Sequence, residues 1–327
     1  MHLINIIRFT IGLVIAVSIF NPAALALNKQ TPAHYKVAQI KDQYIVAEGF
    51  KLHYVQRGTG QPVVLLHGND GTLQDFTMSI FNNLTTKYRT IAFDRPGHGG
   101  SINLTYKTAT PEIQACALHN ALNQLDIRRP LLIAHSWSGA LALSYALQFP
   151  DDLSGLVILG GMAYDTREAE ASPIYYAVGL PFVGTLVSLT FKMTGRDVIK
   201  KQLKQAFSPD KVPEEYMKSF LSSLFRFSQI KAAASDEITL NPALRRMSPN
   251  YSNIHLPVVI VTGDQDRIVS PEKHSYPLHK AIPQSQLIVL HNAGHELQFT
   301  RPNEVMSAVE LALTPVLKAS IPTTIKY

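Results

Sequence analysis

The run Pro130-Leu131-Leu132-Ile133-Ala134-His135-Ser136-Trp137-Ser138-Gly139 constrains this chain more than any other. Its apolar start does not alternate with polar residues, which fits a strand buried on both faces of a parallel sheet. Ala140 to Leu147 follow, rich in small, helix-forming residues. The order is therefore strand, serine, helix, with little room for a loop. A turn that sharp strains its central residue and needs small neighbours two before it and two after. Ala134 and Ser138 meet that condition, where the usual pattern has glycines. The turn exposes the hydroxyl of Ser136 at the carboxyl end of the sheet, which is where ligands bind in open α/β sheets.

Two later segments end in the same way. Pro257 to Gly263 reads as a buried strand and runs directly into Asp264-Gln265-Asp266. Ser285 to Leu290 reads as another and runs into His291-Asn292-Ala293-Gly294-His295. A serine hydroxyl is a weak nucleophile that needs a nearby base, and the base needs an orienting partner. Serine, acid and histidine occur here in that order along the chain.

With Val64-Leu65-Leu66-His67-Gly68-Asn69 and Phe93-Asp94-Arg95-Pro96-Gly97-His98-Gly99, these segments resemble the α/β-hydrolase superfamily, in its capped, epoxide-hydrolase-like or esterase-like branch. The matches keep the family's order from residue 63 to 295. The resemblance implies an α/β-hydrolase fold: a mostly parallel central sheet, helices on both faces and an inserted helical cap. It implies Ser136 as nucleophile, His295 rather than His291 as base, and Asp266 rather than Asp264 as the orienting acid. The oxyanion hole would use the backbone N–H groups of Trp137 and Asn69. Asp70-Gly71 follows Asn69, where many relatives have proline, which leaves that loop's course open. His67, Asp94 and Arg95 are expected to brace loops. Epoxide hydrolases and haloalkane dehalogenases carry aspartate at the elbow, so Ser136 points away from those reactions.

The 327 residues suffice for one large α/β domain with an insertion. Charged residues are 17% and hydrophobic residues 46%, a globular and not a disordered balance. The net charge is +6, but no Lys/Arg run resembles a nucleic-acid patch. The densest basic stretch, Lys192 to Lys204, reads as a solvated helix face or as a region attracted to an anionic membrane surface. Residues 1–26 read as a signal peptide or N-terminal membrane anchor: Arg8, an apolar run to Phe20, the breaker Asn21-Pro22, then Ala24-Leu25-Ala26. A secreted or periplasmic domain is expected, with membrane contact as an option. Cys116 is the single cysteine, which excludes an intramolecular disulfide; it is expected in the core.

Residues 35–58 read as an antiparallel start. Strands are then expected at 62–67, 89–94, 130–135, 154–160, 257–262 and 285–290, and helices at 73–87, 111–127, 137–148, 271–282 and 302–318. Alternation of this kind implies a parallel sheet covered on both faces. It stops between residues 162 and 250, where only helical patterns and turns occur. That insertion reads as a cap between two halves of the core, 27–161 and 251–327. Its apolar segments, Pro173 to Val183 and Phe220 to Phe225, are expected mainly to fill the cap's own core, with some residues lining the pocket.

No metal-ligand spacing, phosphate loop or dinucleotide fingerprint is present, so neither a metal nor a cofactor is expected. The leading expectation is a serine hydrolase acting on an apolar carboxylic ester through an acyl-enzyme. The alternatives are a C–C bond hydrolase acting next to a ketone, and a ligand-binding or sensor protein on the same scaffold. Oligomeric state is not legible.

Overall fold

The computed structural model of the chain describes residues 41–102, 105, 107–166, 173–180, 182, 184–185, 189–190, 195–314 and 324–326. The expected targeting segment 1–26 lies outside them. Among the described residues nine strands form one sheet in the order β1-β2-β4-β3-β5-β6-β7-β8-β9. β1 (Gln43–Ala47), β2 (Phe50–Arg57) and β4 (Arg89–Phe93) pair antiparallel. β3 (Pro62–Leu66), β4, β5 (Leu131–His135), β6 (Gly155–Leu159), β7 (Val258–Gly263), β8 (Gln286–Leu290) and β9 (Thr324–Lys326) pair parallel.

The unbroken apolar runs are explained by burial on both faces. Val64, Leu66, Leu132, Ala134, Leu156, Ile158, Val258 and Ile260 belong to one hydrophobic cluster. Their alternates Val63, Leu65, Leu131, Ile133, Val157, Leu159, Val259 and Val261 belong to the other. Successive side chains point to opposite faces of a strand, and each buried aliphatic side chain contributes about 1.5–3 kcal/mol. A polar residue at any of these positions would have nowhere to meet water.

The helices run in chain order as α1 (Gln74–Thr77), α2 (Phe81–Leu84), α3 (Pro111–Gln124), α4 (Ser138–Gln148), α5 (Pro173–Val178), α6 (Arg196–Phe207), α7 (Glu214–Leu224), α8 (Phe227–Met247), α9 (Ser275–Ala281), α10 (Leu297–Thr300) and α11 (Pro302–Leu313). α3 starts where its signals say. The Thr110 hydroxyl accepts from the Ile113 N–H at 3.3 Å, and Pro111 and Glu112 open the first turn. α3 and α4 cover one face of the sheet, and α1, α2 and α11 cover the other.

Four expectations change. The helix expected over 73–87 is split into α1 and α2, because the Ser79 hydroxyl donates to the carbonyls of Asp75 (2.6 Å) and Phe76 (3.3 Å) and competes with helical pairing. β9 was not anticipated; three residues are too few for any periodicity to register. Cys116 is only partly buried, on the flank of α3, where its thiol meets Gln148. Within the apolar cap segment, Val178 is buried, but Tyr176, Leu180 and Phe182 are 50%, 55% and 89% exposed, so these three do not fill the cap's interior.

Between β6 and β7 the described residues form helices and turns only. The chain leaves the sheet through Ala163, which is pinned from two sides. Its carbonyl accepts from the Tyr251 hydroxyl at 2.6 Å, and its N–H donates to Nδ1 of His274 at 3.2 Å. Burial, with a smaller push from Lys273, lowers His274 to about 4 despite the nearby charge of Asp266, which keeps its nitrogen available as an acceptor. α6 and α7 bury small apolar clusters of their own, Ile199 with Leu221 and Leu224, and Leu203 with Phe207 and Tyr216. α8 instead joins the main core through Ala232, Leu240, Ala243, Leu244 and Met247. Among the described residues no helix is long and apolar enough to cross a membrane.

Candidate active site

β5 delivers Ser136 into a left-handed conformation, φ +56°, directly before α4. Non-glycine residues rarely adopt that region, and holding one there costs on the order of 1–3 kcal/mol. The surrounding backbone over-determines it. The Ser136 N–H donates to Leu159 at 3.0 Å, and its carbonyl accepts from Gly139 and Met162, both at 2.9 Å. Ser138, standing where the usual pattern has glycine, is fully buried and donates its hydroxyl to the carbonyl of His67. The departure from the glycine pattern thus ties the elbow to the loop after β3.

The acid and the base meet across the ends of β7 and β8. Nδ1 of His295 lies 2.8 Å from Oδ2 of Asp266, with both side chains almost wholly buried. The other carboxylate oxygen of Asp266 accepts from the N–H groups of Ile268 and Val269, each at 2.9 Å. Burial alone would lower the His295 pKa. The charge and hydrogen bond of Asp266, aided by Glu296, outweigh burial and raise it above its ordinary 6.5.

Gly160 brings this pair to the serine. It sits between Leu159 and Gly161-Met162, the segment that brackets Ser136 with hydrogen bonds. A Cβ on Gly160 would stand 3.1 Å from both Asp266 Oδ2 and His295 Nδ1. His135, next to the serine, sets its ring tilted by 45° against that of His295, 4.6 Å between centroids, and its Nε2 lies 3.2 Å from the His295 carbonyl oxygen. A hydrogen bond joining the Ser136 hydroxyl to His295 is not among those formed by the described residues.

The loop after β3 closes the opposite side. A Cβ on Gly68 would lie 3.1 Å from Cβ of Ser136 and 3.6 Å from its Oγ, so the peptide carrying the Asn69 N–H passes directly beside the serine. The Asn69 side chain donates to Glu237 of α8 at 3.0 Å. Asp70 is exposed at its outer side, with protein crowded around the rest of it. Burial, then the charge of Glu237, raises its carboxyl to about 6 against the pull of Arg95. Trp137, the other expected oxyanion donor, is wholly buried with its ring under the Arg95 guanidinium, 4.2 Å from Cζ to the ring centroid.

Asp264 and His291 form a pair of their own at 2.8 Å, but the histidine is 81% exposed. Gly160, His135, Glu237 and Asp236 were not singled out from sequence. Nothing about an acidic pair inside a cap helix marks it as reaching back to the core, whereas Gly160-Gly161 at a strand end was a visible signal. Among the described residues, His135, His295 and Glu296 are the ones that could hold a metal ion, with ligand atoms within 4.8 Å of one another. Each already has a protein partner at one such atom.

Comparison with known proteins identifies the fold that carries these residues. A family model described as alpha/beta hydrolase fold matches residues 61–302. A 2-hydroxy-6-oxononadienedioate/2-hydroxy-6-oxononatrienedioate hydrolase of Burkholderia vietnamiensis is 27% identical over 281 residues, covering 82% of this chain and 93% of the relative. Lipase 1 of Psychrobacter immobilis is 24% identical, covering 76% of each chain. The solved structure of an esterase from Exiguobacterium antarcticum superposes with a TM-score of 0.70 at 21% identity, over 84% of this chain and all of that one.

Proposed function

The chain belongs to the α/β-hydrolase family and is a hydrolase, and from that premise we propose that it cleaves carboxylic esters through an acyl-enzyme on Ser136. One observation carries the reading. A serine in a strained left-handed turn lies beside a buried aspartate–histidine pair, with Gly160 packed against that pair and a second loop against the serine.

In this reading His295 removes the hydroxyl proton as Ser136 Oγ attacks the acyl carbon. Asp266 holds the ring in the tautomer with hydrogen on Nδ1 and stabilises the imidazolium. The carbonyl oxygen, now negative, is met by the N–H groups of Asn69 and Trp137. His295 then gives the proton to the departing alkoxide. A water molecule repeats the sequence on the acyl-enzyme, releasing the carboxylic acid and restoring Ser136. No cofactor enters.

The test is covalent labelling with a fluorophosphonate, followed by hydrolysis of p-nitrophenyl esters of graded chain length. Wild type should be labelled at Ser136, and Ser136→Ala should not. Each added methylene that finds an apolar wall strengthens binding by about 0.8 kcal/mol, so kcat/KM should climb with acyl length until the site is full. An unlabelled wild-type protein would refute the ester-hydrolase reading and favour a binding protein on this scaffold.

C–C bond hydrolysis is the second reading, supported by the name of the Burkholderia relative. That name specifies a dicarboxylate. Here two carboxylates, Asp70 and Glu237, flank Asn69, and like charges at close range repel such a substrate. The ester reading does not meet that obstacle. We further propose that the enzyme works outside the cytoplasm, on the basis of residues 1–26; fractionation of cells carrying the full chain, with and without those residues, tests it.

A further inference from the structure

The oxyanion hole is held by a charge network that begins in the cap. The peptide carrying the Asn69 N–H also carries the Gly68 carbonyl. Because a peptide unit is planar, the direction of one group sets the direction of the other. The Gly68 oxygen accepts from Arg95 Nη2 at 2.9 Å and lies 2.8 Å from His67 Nδ1. The Arg95 backbone N–H donates to His67 Nε2 at 2.9 Å, so the His67 proton resides on Nδ1 and that ring donates to Gly68. Two donors on a carbonyl polarise its amide and strengthen the N–H as a donor in turn.

The other half of the hole has the same design in different material. The peptide of the Trp137 N–H carries the Ser136 carbonyl, which accepts two backbone N–H groups, those of Gly139 and Met162. Backbone does there what Arg95 and His67 do at Gly68. Arg95 reaches that half as well, stacking on the Trp137 ring. Its Nε also donates to the His67 carbonyl at 3.1 Å.

Arg95 has no exposed side-chain surface, and a buried cation needs a partner. The partner is Asp236 of α8, at 2.7 Å and equally buried. Gln114 donates to the second Asp236 oxygen at 3.1 Å and accepts from Arg95 at 3.1 Å. The Asp236 carbonyl faces the Trp137 indole N–H at 3.4 Å.

We propose that Arg95, neutralised by Asp236 of the cap, is a positioning residue that aligns and polarises the Gly68–Asn69 peptide for oxyanion binding. The cap thereby sets the catalytic machinery as well as covering it. This rests on the ester-hydrolase reading above, since an oxyanion forms only if Ser136 attacks a carbonyl.

The test compares Arg95→Lys with wild type and with Tyr216→Phe. Lysine keeps a charge for Asp236 but lacks the planar fork that serves Gly68, His67 and Gln114 together. Tyr216→Phe removes a different buried tie between cap and core, the 3.0 Å bond from the Tyr216 hydroxyl to Asp75. Deleting a whole oxyanion donor costs roughly 10²–10³ in kcat, so misaligning one should cost roughly 10–100-fold. In Arg95→Lys, kcat should fall by that factor with KM changed less than about twofold. Affinity for an alkylboronic acid, which forms a tetrahedral adduct, should fall in parallel with kcat, while affinity for the ether analogue of the ester stays constant. Tyr216→Phe should lower Tm and leave kcat in place. Loss of Tm alone in Arg95→Lys would overturn the positioning role, and so would an equal loss of kcat in Tyr216→Phe. If Arg95→Lys does not fold, Asp236→Asn carries the same comparison. Failure of the underlying reading is distinct: it shows in wild type, as absence of fluorophosphonate labelling, and takes the proposal with it.

Discussion

Two aspartate–histidine pairs sit at the ends of β7 and β8, equal in separation and different in depth and surroundings. Asp266 with His295 and Asp264 with His291 each place Nδ1 at 2.8 Å from Oδ2. The first pair has side chains 4% and 0% exposed; in the second the histidine is 81% and the aspartate 28% exposed. Water around the outer pair weakens its attraction severalfold relative to the inner one. Only the inner aspartate is further held by two backbone N–H groups. Only the inner histidine faces the serine segment, through Gly160 and His135. Distance therefore does not set the two pairs apart. Exclusion of water, and a fixed partner on each side, do.

The comparison collapses if the inner pair serves no nucleophile. Ser136→Ala should lower kcat by a factor on the order of 10⁶, as in a comparable triad, with an unchanged circular dichroism spectrum. Retention of a tenth of the activity on a p-nitrophenyl ester would remove Ser136 from its role and the inner pair with it.

The pairs are separated most directly by matched substitutions. Asp266→Asn should reduce kcat roughly 10⁴-fold, because asparagine at the orienting position favours the wrong histidine tautomer. Asp264→Asn should stay within about twofold. A larger loss at Asp264 would exchange the two assignments.

A pH profile sharpens the contrast. The base must be neutral to accept a proton, so kcat/KM falls as pH drops through the pKa of His295. In wild type that limb should lie above the ordinary histidine value, since Asp266 and Glu296 together outweigh burial. Asp266→Asn removes the raising influence and leaves burial in place, so the limb of its residual activity should move to lower pH. A limb that stays, or moves upward, would show that Asp266 does not govern the protonation of His295.

The smallest effect belongs to the outer pair. His291→Ala should change stability by no more than about 1 kcal/mol, and added salt should shrink the difference further. A loss of several kcal/mol in denaturant titration would mean that exposure misjudges this pair.

The strands of the core were legible because burial on both faces leaves an unbroken apolar run, as in Leu131 to Ala134 and Val258 to Val261. Ser136 and the acid and base candidates Asp264, Asp266, His291 and His295 were legible because each lies within a few residues of the end of such a run; the choice of Asp266 and His295 among them came from the family resemblance. The break after Thr77 was not, because it depends on which carbonyls the Ser79 hydroxyl finds. The exposure of Tyr176, Leu180 and Phe182 was not, because apolar content alone does not say which way a short helix and the turn after it face.

Sequence by itself determined the order of strands and helices, the sharp turn at Ser136 and the candidates for acid and base. These follow from local chemistry: hydrophobic period, small residues, capping and spacing. Tertiary structure decided which aspartate and which histidine lie out of reach of water. It also decided that Asp236, 141 residues from Arg95, closes the network behind the Gly68–Asn69 loop. Such contacts depend on how the cap folds back over the sheet. A buried charge gains its partner only from the packing that buries it, so neither residue carries a mark of the other in the linear chain.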